Sequence, residues 1–238
     1  MDRELKISGG GRVLYDTSLV EQPGPELFDQ TQWPQYKPLK GGRGEVYFVD
    51  TGEHAWLIKP YLRGGFIRRF FERSYLFWGY GRTRMFREFR LLRYLTSRGV
   101  PVPRPVAALA KRSLLRYEGS IIVERFDAVR PLSDVLREES LPADRWRAVG
   151  AVIAGLHNQQ VNHKDLNASN ILLGDQAIHI IDFDRCSRQR FGVALYARNN
   201  LKRLERSLLR LVPAGGTFTP EDWQALLQGY SDQRMQSR

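Results

Sequence analysis

Apolar and polar residues alternate along EVYFVD (45–50) and AWLIKPYL (55–62), the period-two pattern of half-buried strands. Thr51-Gly52-Glu53-His54 between them reads as a hairpin turn containing Gly52. The period then lengthens. Met85, Phe89, Leu92 and Leu95 recur at helical spacing and predict a long helix over about 83–97, which the prolines of VPVPRPV (100–106) stop. LLRYEG and SIIVERF (114–126) predict a further strand pair turning at Gly119. From residue 127 the pattern turns helical, with an apolar and largely buried helix over about 143–160. NILL (170–173), Gly174-Asp175 and AIHIID (177–182) predict a tight hairpin. Helices at roughly 195–212 and 220–230 close the chain, the second with Thr219 as N-cap and Pro220 at its first position. The expected class is α+β, with a β-rich N-terminal lobe carrying one long helix (1–126) and a mainly helical C-terminal lobe (127–238).

Composition narrows the setting. The chain has 238 residues and 42% hydrophobic content, enough to bury a real core. Its single cysteine, Cys186, forms no internal disulfide and fits a reducing compartment. There is no apolar run of about 18 residues to span a membrane, and MDRELKISGGGRVLYD lacks the apolar region of a secretory signal. A net charge of +11 draws polyanions: nucleic acid, anionic lipid or a phosphorylated substrate. The excess is concentrated. Arg63 to Arg98 holds ten arginines, two glutamates, no lysine and ten aromatics, among them Phe66, Phe70, Phe71, Phe77, Trp78 and Tyr80. Rings and guanidiniums together suit a lipid–water interface, which marks FIRRFFERSYLFWGYG as a docking segment. Core packing of helical rings is the competing reading, adopted for the part beyond about Arg82.

His163-Lys164-Asp165-Leu166-Asn167-Ala168-Ser169-Asn170 fits H-x-D-L-x-x-x-N, and Asp182-Phe183-Asp184 follows the next strand. A hairpin running from Asn170 to Asp182 sets those two side by side, with Asp165 in the loop before them. Asn and Asp oxygens are hard donors suited to Mg²⁺ that also touches phosphate. A carboxylate that is not a ligand, Asp165, accepts a hydroxyl proton and aims the nucleophile. This is the layout of phosphoryl transfer. Lys59, on an otherwise apolar strand, needs a counter-charge or a phosphate. Glu88 lies on the apolar helix face and needs a cation, for which Lys59 competes with Arg84 one turn away. Gly41-Gly42-Arg43-Gly44 precedes the first strand, where Gly42 and Gly44 let backbone amides approach phosphate; Tyr47 stands where a third glycine would complete the loop.

On these residues the chain resembles the protein-kinase-like superfamily over about residues 38–212. GGRGEV is similar to the phosphate loop, Lys59 to the strand lysine, Glu88 to the helix glutamate, HKDLNASN to the catalytic loop and DFD to the metal motif. GRGEVYFV, the Arg-aromatic insert, NHKDLNASNILL, IIDFDRC and NLKRLERSLLRL resemble, more narrowly, the lipopolysaccharide kinase family. The resemblance implies ATP and Mg²⁺ as cofactors and transfer of the γ-phosphate to the 4-hydroxyl of 3-deoxy-D-manno-octulosonic acid (Kdo) on a lipid A precursor. It assigns Asp165 as catalytic base, Asn170 and Asp182 as metal ligands, and Lys59, Glu88, Gly42 and Gly44 to the phosphates. It places adenine on backbone near Glu124 and Phe126. It also implies peripheral attachment to the anionic inner membrane at its cytoplasmic face, with no nucleic acid and no obligate protein partner. Other acceptors (heptose, antibiotic, protein) and a non-catalytic adaptor are the alternatives. Asp184 replaces the glycine usual after the Asp-Phe pair, no A-P-E follows, and 56 residues remain after Asp182, all of which speak against a protein substrate.

Overall fold

The computed structural model describes residues 1–33, 35–39, 46–61, 75–175 and 177–236. Gly42, Gly44 and the first part of the Arg-aromatic insert lie outside the described residues. The chain divides into two compact units, Met1–Arg93 with Arg104–Phe126 and Tyr94–Pro103 with Asp127–Arg238. A single cut after residue 126 is the expectation from sequence. The segment Tyr94–Pro103 instead groups with the second unit, where Ile180 N–H donates to the Pro101 carbonyl at 3.1 Å and the Tyr94 hydroxyl donates to Gln159 at 3.0 Å.

Among the described residues the first unit holds an antiparallel sheet of eight strands: β1 (Asp2–Ile7), β2 (Gly11–Asp16), β3 (Gln35–Leu39), β4 (Val46–Asp50), β5 (Ala55–Pro60), β6 (Tyr75–Leu76), β7 (Pro105–Ser113) and β8 (Arg116–Glu124). They lie in the order β1-β2-β7-β8-β5-β4-β3, with β6 added alongside β8. The β4–β5 hairpin is as expected. The β8 region is not: Gly119 lies inside a single strand, and the chain reverses at Leu114-Leu115 between β7 and β8. Gly119 is there for space, because a Cβ would collide with the Leu109 carbonyl of β7 and crowd the Met85 methyl. β7 carries no strand signature in the sequence because its first six residues, PVAALA, are all buried. A strand covered on both faces shows an apolar run instead of alternation.

Alternation explains where the helix α1 (Arg84–Thr96) lies. Trp56 and Ile58 of β5 join Val13, Val49, Leu109 and Ile122 in the core on one face of the sheet. Lys59 faces the other way, level with Ile121 in the β5–β8 register. Gly119 and Ile121 share that second face, and Met85 of α1 packs against Gly119 there. The α1 stripe of Met85, Phe89, Leu92 and Leu95 is fully buried. At the far end of α1, Arg93 and Arg104 both hold the buried Asp16 carboxylate at 2.8 Å. Burial raises the Asp16 pKa, but hydrogen bonds from Arg104 and Ser18 and the Arg93 charge outweigh it and keep the group well below the usual carboxylate range.

The second unit contains helices α2 (Leu132–Glu138), α3 (Ala143–Asn158), α4 (Val193–Leu209) and α5 (Pro220–Gln236). α3 and α5 pack through paired glycines: a Cβ on Gly150 would collide with the Leu226 carbonyl, and one on Gly229 with the Arg147 carbonyl. The α5 start forms the expected cap, reciprocally: Asp222 N–H donates to Thr219 Oγ1 at 3.3 Å and Thr219 N–H donates to Asp222 at 2.9 Å. Strands β9 (Arg130–Pro131), β11 (Ile171–Leu173) and β12 (Ile178–Ile180) form one small sheet, and β10 (Val161–Asn162) pairs with β13 (Ser187–Arg188). No helix among the described residues is long and apolar enough to cross a membrane.

Candidate active site

The loop from His163 to Asn170 is held by its own polar groups and by α4. Asn167 accepts from the Ser169 N–H at 2.9 Å and donates to the Asp165 carbonyl at 3.0 Å. Asn170 Nδ2 donates to that same carbonyl at 2.9 Å. Across the hairpin, the Ile181 N–H donates to the Asn170 carbonyl at 3.0 Å, one residue before Asp182. His163 closes the other side, its Nε2 donating to the Ile181 carbonyl at 3.0 Å while its ring packs edge-on against Phe183. Asp165, Asn170 and Asp182 are thus tied to one another through a few hydrogen bonds. Asp182 takes a left-handed backbone (φ 66), a conformation that Asp tolerates better than most residues.

Three positions of α4 bracket this loop. Asn200 accepts from the His163 N–H at 3.1 Å, and Ser207 accepts from the Ala168 N–H at 3.0 Å. Between them Arg203 reaches Asp165 Oδ1 at 3.3 Å. That pair is half exposed on both sides, so it contributes little to stability and leaves the carboxylate reachable. Asn200 also donates to Asn162 and meets His157 Nε2, whose Nδ1 in turn faces the Tyr230 hydroxyl. Burial pushes the His157 imidazole down to about 4 and lowers His163 as well. His157 is therefore a buried strut, neutral at physiological pH. Lys164 is exposed.

In the first unit, Lys59 Nζ lies 3.5 Å from Glu88 Oε1. The Tyr61 hydroxyl donates to the other Glu88 oxygen. Arg84, the competing partner, donates to the Tyr75 hydroxyl at 2.7 Å and stands over the Tyr61 and Tyr75 rings. Glu88 is 4% exposed, so its cation and hydroxyl partners are what make the burial tolerable. Glu124 ends β8, and its N–H donates to the Arg104 carbonyl at 2.9 Å, while the Arg125 N–H donates to Ala55 at 2.9 Å. The Glu124 amide is thereby committed within the unit.

Tyr61, Arg203, Asn200 and Ser207 were not singled out from sequence. Asn200 and Ser207 carry the signal that exposed Glu88: each is a polar residue inside the buried stripe of its helix, beside Ala197, Leu204 and Leu208. Arg203 carries none, being one cation among several on an exposed helix face.

The donor chemistry fits a nucleotide-bound Mg²⁺. Asn170 spends its amide nitrogen on the Asp165 carbonyl; its side-chain oxygen and the Asp182 carboxylate would be two hard oxygen donors, leaving the remaining positions to phosphate and water.

Residues 29–230 match the model of the lipopolysaccharide kinase (Kdo/WaaP) family. The chain is 39% identical over 199 residues to a 3-deoxy-D-manno-octulosonic acid kinase of Vibrio parahaemolyticus serotype O3:K6, covering 82% of this chain and 83% of that one. Among solved structures it is similar to WaaP in complex with acyl carrier protein, with a TM-score of 0.60 and 18% identity over 87% of this chain and 82% of that one. It is also similar to the Rio2 kinase of Chaetomium thermophilum in an ADP/Mg²⁺-phosphoaspartate complex, with a TM-score of 0.50 and 17% identity over 87% of this chain and 73% of that one. The structural likenesses identify a protein-kinase-like fold. Coverage and identity together place the sequence: the chain belongs to the lipopolysaccharide kinase (Kdo/WaaP) family and is a phosphotransferase.

Proposed function

We propose that the protein transfers the γ-phosphate of ATP to the 4-hydroxyl of Kdo on a lipid A precursor, working as a peripheral protein at the cytoplasmic face of the inner membrane. The observation that carries this reading is the hydrogen-bonded tie of the Asp165 loop to the Asn170 and Asp182 hairpin, within a chain of this family. Asp165 would accept the proton of the acceptor hydroxyl as its oxygen bonds to phosphorus and the bond to the ADP oxygen breaks. Arg203 holds that carboxylate in place before the acceptor arrives. Asn170 and Asp182 would hold Mg²⁺, which when bound supplies positive charge at the phosphate oxygens. Lys59, steered by Glu88 and Tyr61, would grip the α- and β-phosphates. Gly42 and Gly44 would cover them. The excess of positive charge suits an acceptor that carries a sugar carboxylate and lipid phosphates.

Mass spectrometry of a Kdo-bearing lipid A precursor after incubation with ATP and Mg²⁺ tests the reading. One added phosphate on the Kdo residue is expected, and none with Asp165→Asn at unchanged circular dichroism. Near-wild-type transfer by Asp165→Asn would remove the assigned base.

A further inference from the structure

Four large apolar side chains gather at one end of the first unit's sheet: Leu76 (60% exposed), Trp78 (72%), Leu114 (86%) and Leu115 (73%). The backbone brings them together. Leu76 pairs with Arg116 across the β6–β8 ladder, and the Phe77 N–H donates to the Leu115 carbonyl at 2.8 Å. Alternation sorts the two faces. Tyr75 and Phe77 turn toward the protein and both pack against the Tyr117 ring, Phe77 edge-on, with Phe77 also edge-on against Tyr80. Leu76, Trp78 and Leu114 turn outward. Leu114 takes φ 52, a left-handed conformation that costs a residue with a Cβ, in the turn between β7 and β8. Cations flank this tip: exposed Lys111, Arg112 and Arg82, with Arg116 opposite Leu76 in the β6–β8 register and the acid Glu118 opposite Lys111 in the β7–β8 register. Arg112 lies over the Phe77 ring at 4.9 Å and donates to the Leu114 carbonyl, so its charge is fixed at the base of the turn.

We propose that this tip is a membrane-inserting wedge, in which Trp78, Leu76, Leu114 and Leu115 enter the interfacial region of an anionic bilayer while Lys111, Arg112 and Arg116 meet lipid phosphates. The proposal rests on the reading that the acceptor is membrane-borne and names the surface that reaches it. Two features favour lipid over protein. Among the described residues the tip offers four protruding apolar side chains, where a stable protein interface takes roughly 20–30 residues a side. A second copy would set cations against cations, whereas an anionic surface complements them. Apolar tip and basic collar is the arrangement that interfacial anchoring needs.

The test uses the full chain and vesicles that contain no acceptor. Wild-type protein is expected to sediment with phosphatidylglycerol–phosphatidylcholine vesicles, and about tenfold less with phosphatidylcholine alone. Trp78→Ser/Leu114→Ser/Leu115→Ser should lower partitioning onto anionic vesicles by about tenfold or more, with circular dichroism unchanged because all three side chains are exposed. Lipids brominated in their acyl chains should quench wild-type fluorescence, and Trp78→Phe should lose most of that quenching. Unchanged partitioning of the triple variant would sink the wedge, as would a wild-type dimer that the triple variant breaks. Phosphorylation of a detergent-solubilised acceptor is read in parallel: the triple variant should match wild type there. Failure of wild type itself in that assay strikes the proposed reaction and leaves the vesicle result standing.

Discussion

Lys59→Met tests the buried ion pair most directly. Glu88 is 4% exposed and its cation, Lys59, is 25% exposed at 3.5 Å. Removing the lysine leaves a carboxylate with the Tyr61 hydroxyl and no ammonium. Breaking such a pair from one side costs about 3–5 kcal/mol, and the retained Tyr61 bond sets the expectation at about 3. Glu88→Gln is milder. The glutamine oxygen still accepts from Tyr61, and a partly exposed Lys59 finds water, so the loss is about 1 kcal/mol. In Lys59→Met/Glu88→Gln no buried charge remains, and the total should be about 1.5 kcal/mol, less than Lys59→Met alone. The coupling is then about 2–3 kcal/mol, read from urea unfolding of the four proteins of the cycle. Strict additivity, or a Lys59→Met loss below about 1 kcal/mol, would show that the pair is a solvated surface contact. Phosphoryl transfer should fall in all three variants, so stability and activity separate: the double variant regains fold and stays inactive.

Acid should destabilise the protein well before its carboxylates titrate. The unfolded His157 protonates near 6.5 while the folded one stays neutral down to about 4, so its contribution is complete above 6.5 and is lost as pH falls from there toward 4. That amounts to about 2 kcal/mol between pH 7 and 5. The urea midpoint should show it, and His157→Gln should flatten the slope by about one proton, with His163 and His179, both also lowered by burial, contributing to what remains; an unchanged slope would contradict the buried neutral imidazole. Gly229→Ala forces a methyl onto the Arg147 carbonyl and should cost about 3 kcal/mol by pushing α5 from α3. Gly155→Ala, on the same helix α3 but with open space at the Cβ, should instead stabilise by up to about 1 kcal/mol. Equal melting shifts for the two would remove the argument that glycine sets the α3–α5 distance.

Local pattern determined much of this protein without any structure. The β4–β5 hairpin, α1, α3, the β11–β12 hairpin and the Thr219 cap are all written in alternation, helical spacing and turn residues over a few positions. So was Glu88, since a carboxylate on an apolar stripe demands a cation wherever the stripe is buried. The order of Asp165, Asn170 and Asp182 needed only a loop and a two-strand turn. Three-dimensional proximity decided the rest. Gly119 belongs to a strand because of a neighbour ten residues earlier, and periodicity contains no record of that distance. β7 is buried on both faces, which erases the alternation that would have marked it. Arg203 meets Asp165 across 38 residues of chain, by way of a helix whose exposed face carries other cations of equal standing in sequence. Patterns report which face of an element avoids water; they are silent on which element supplies the cover, because that depends on packing summed over the whole fold.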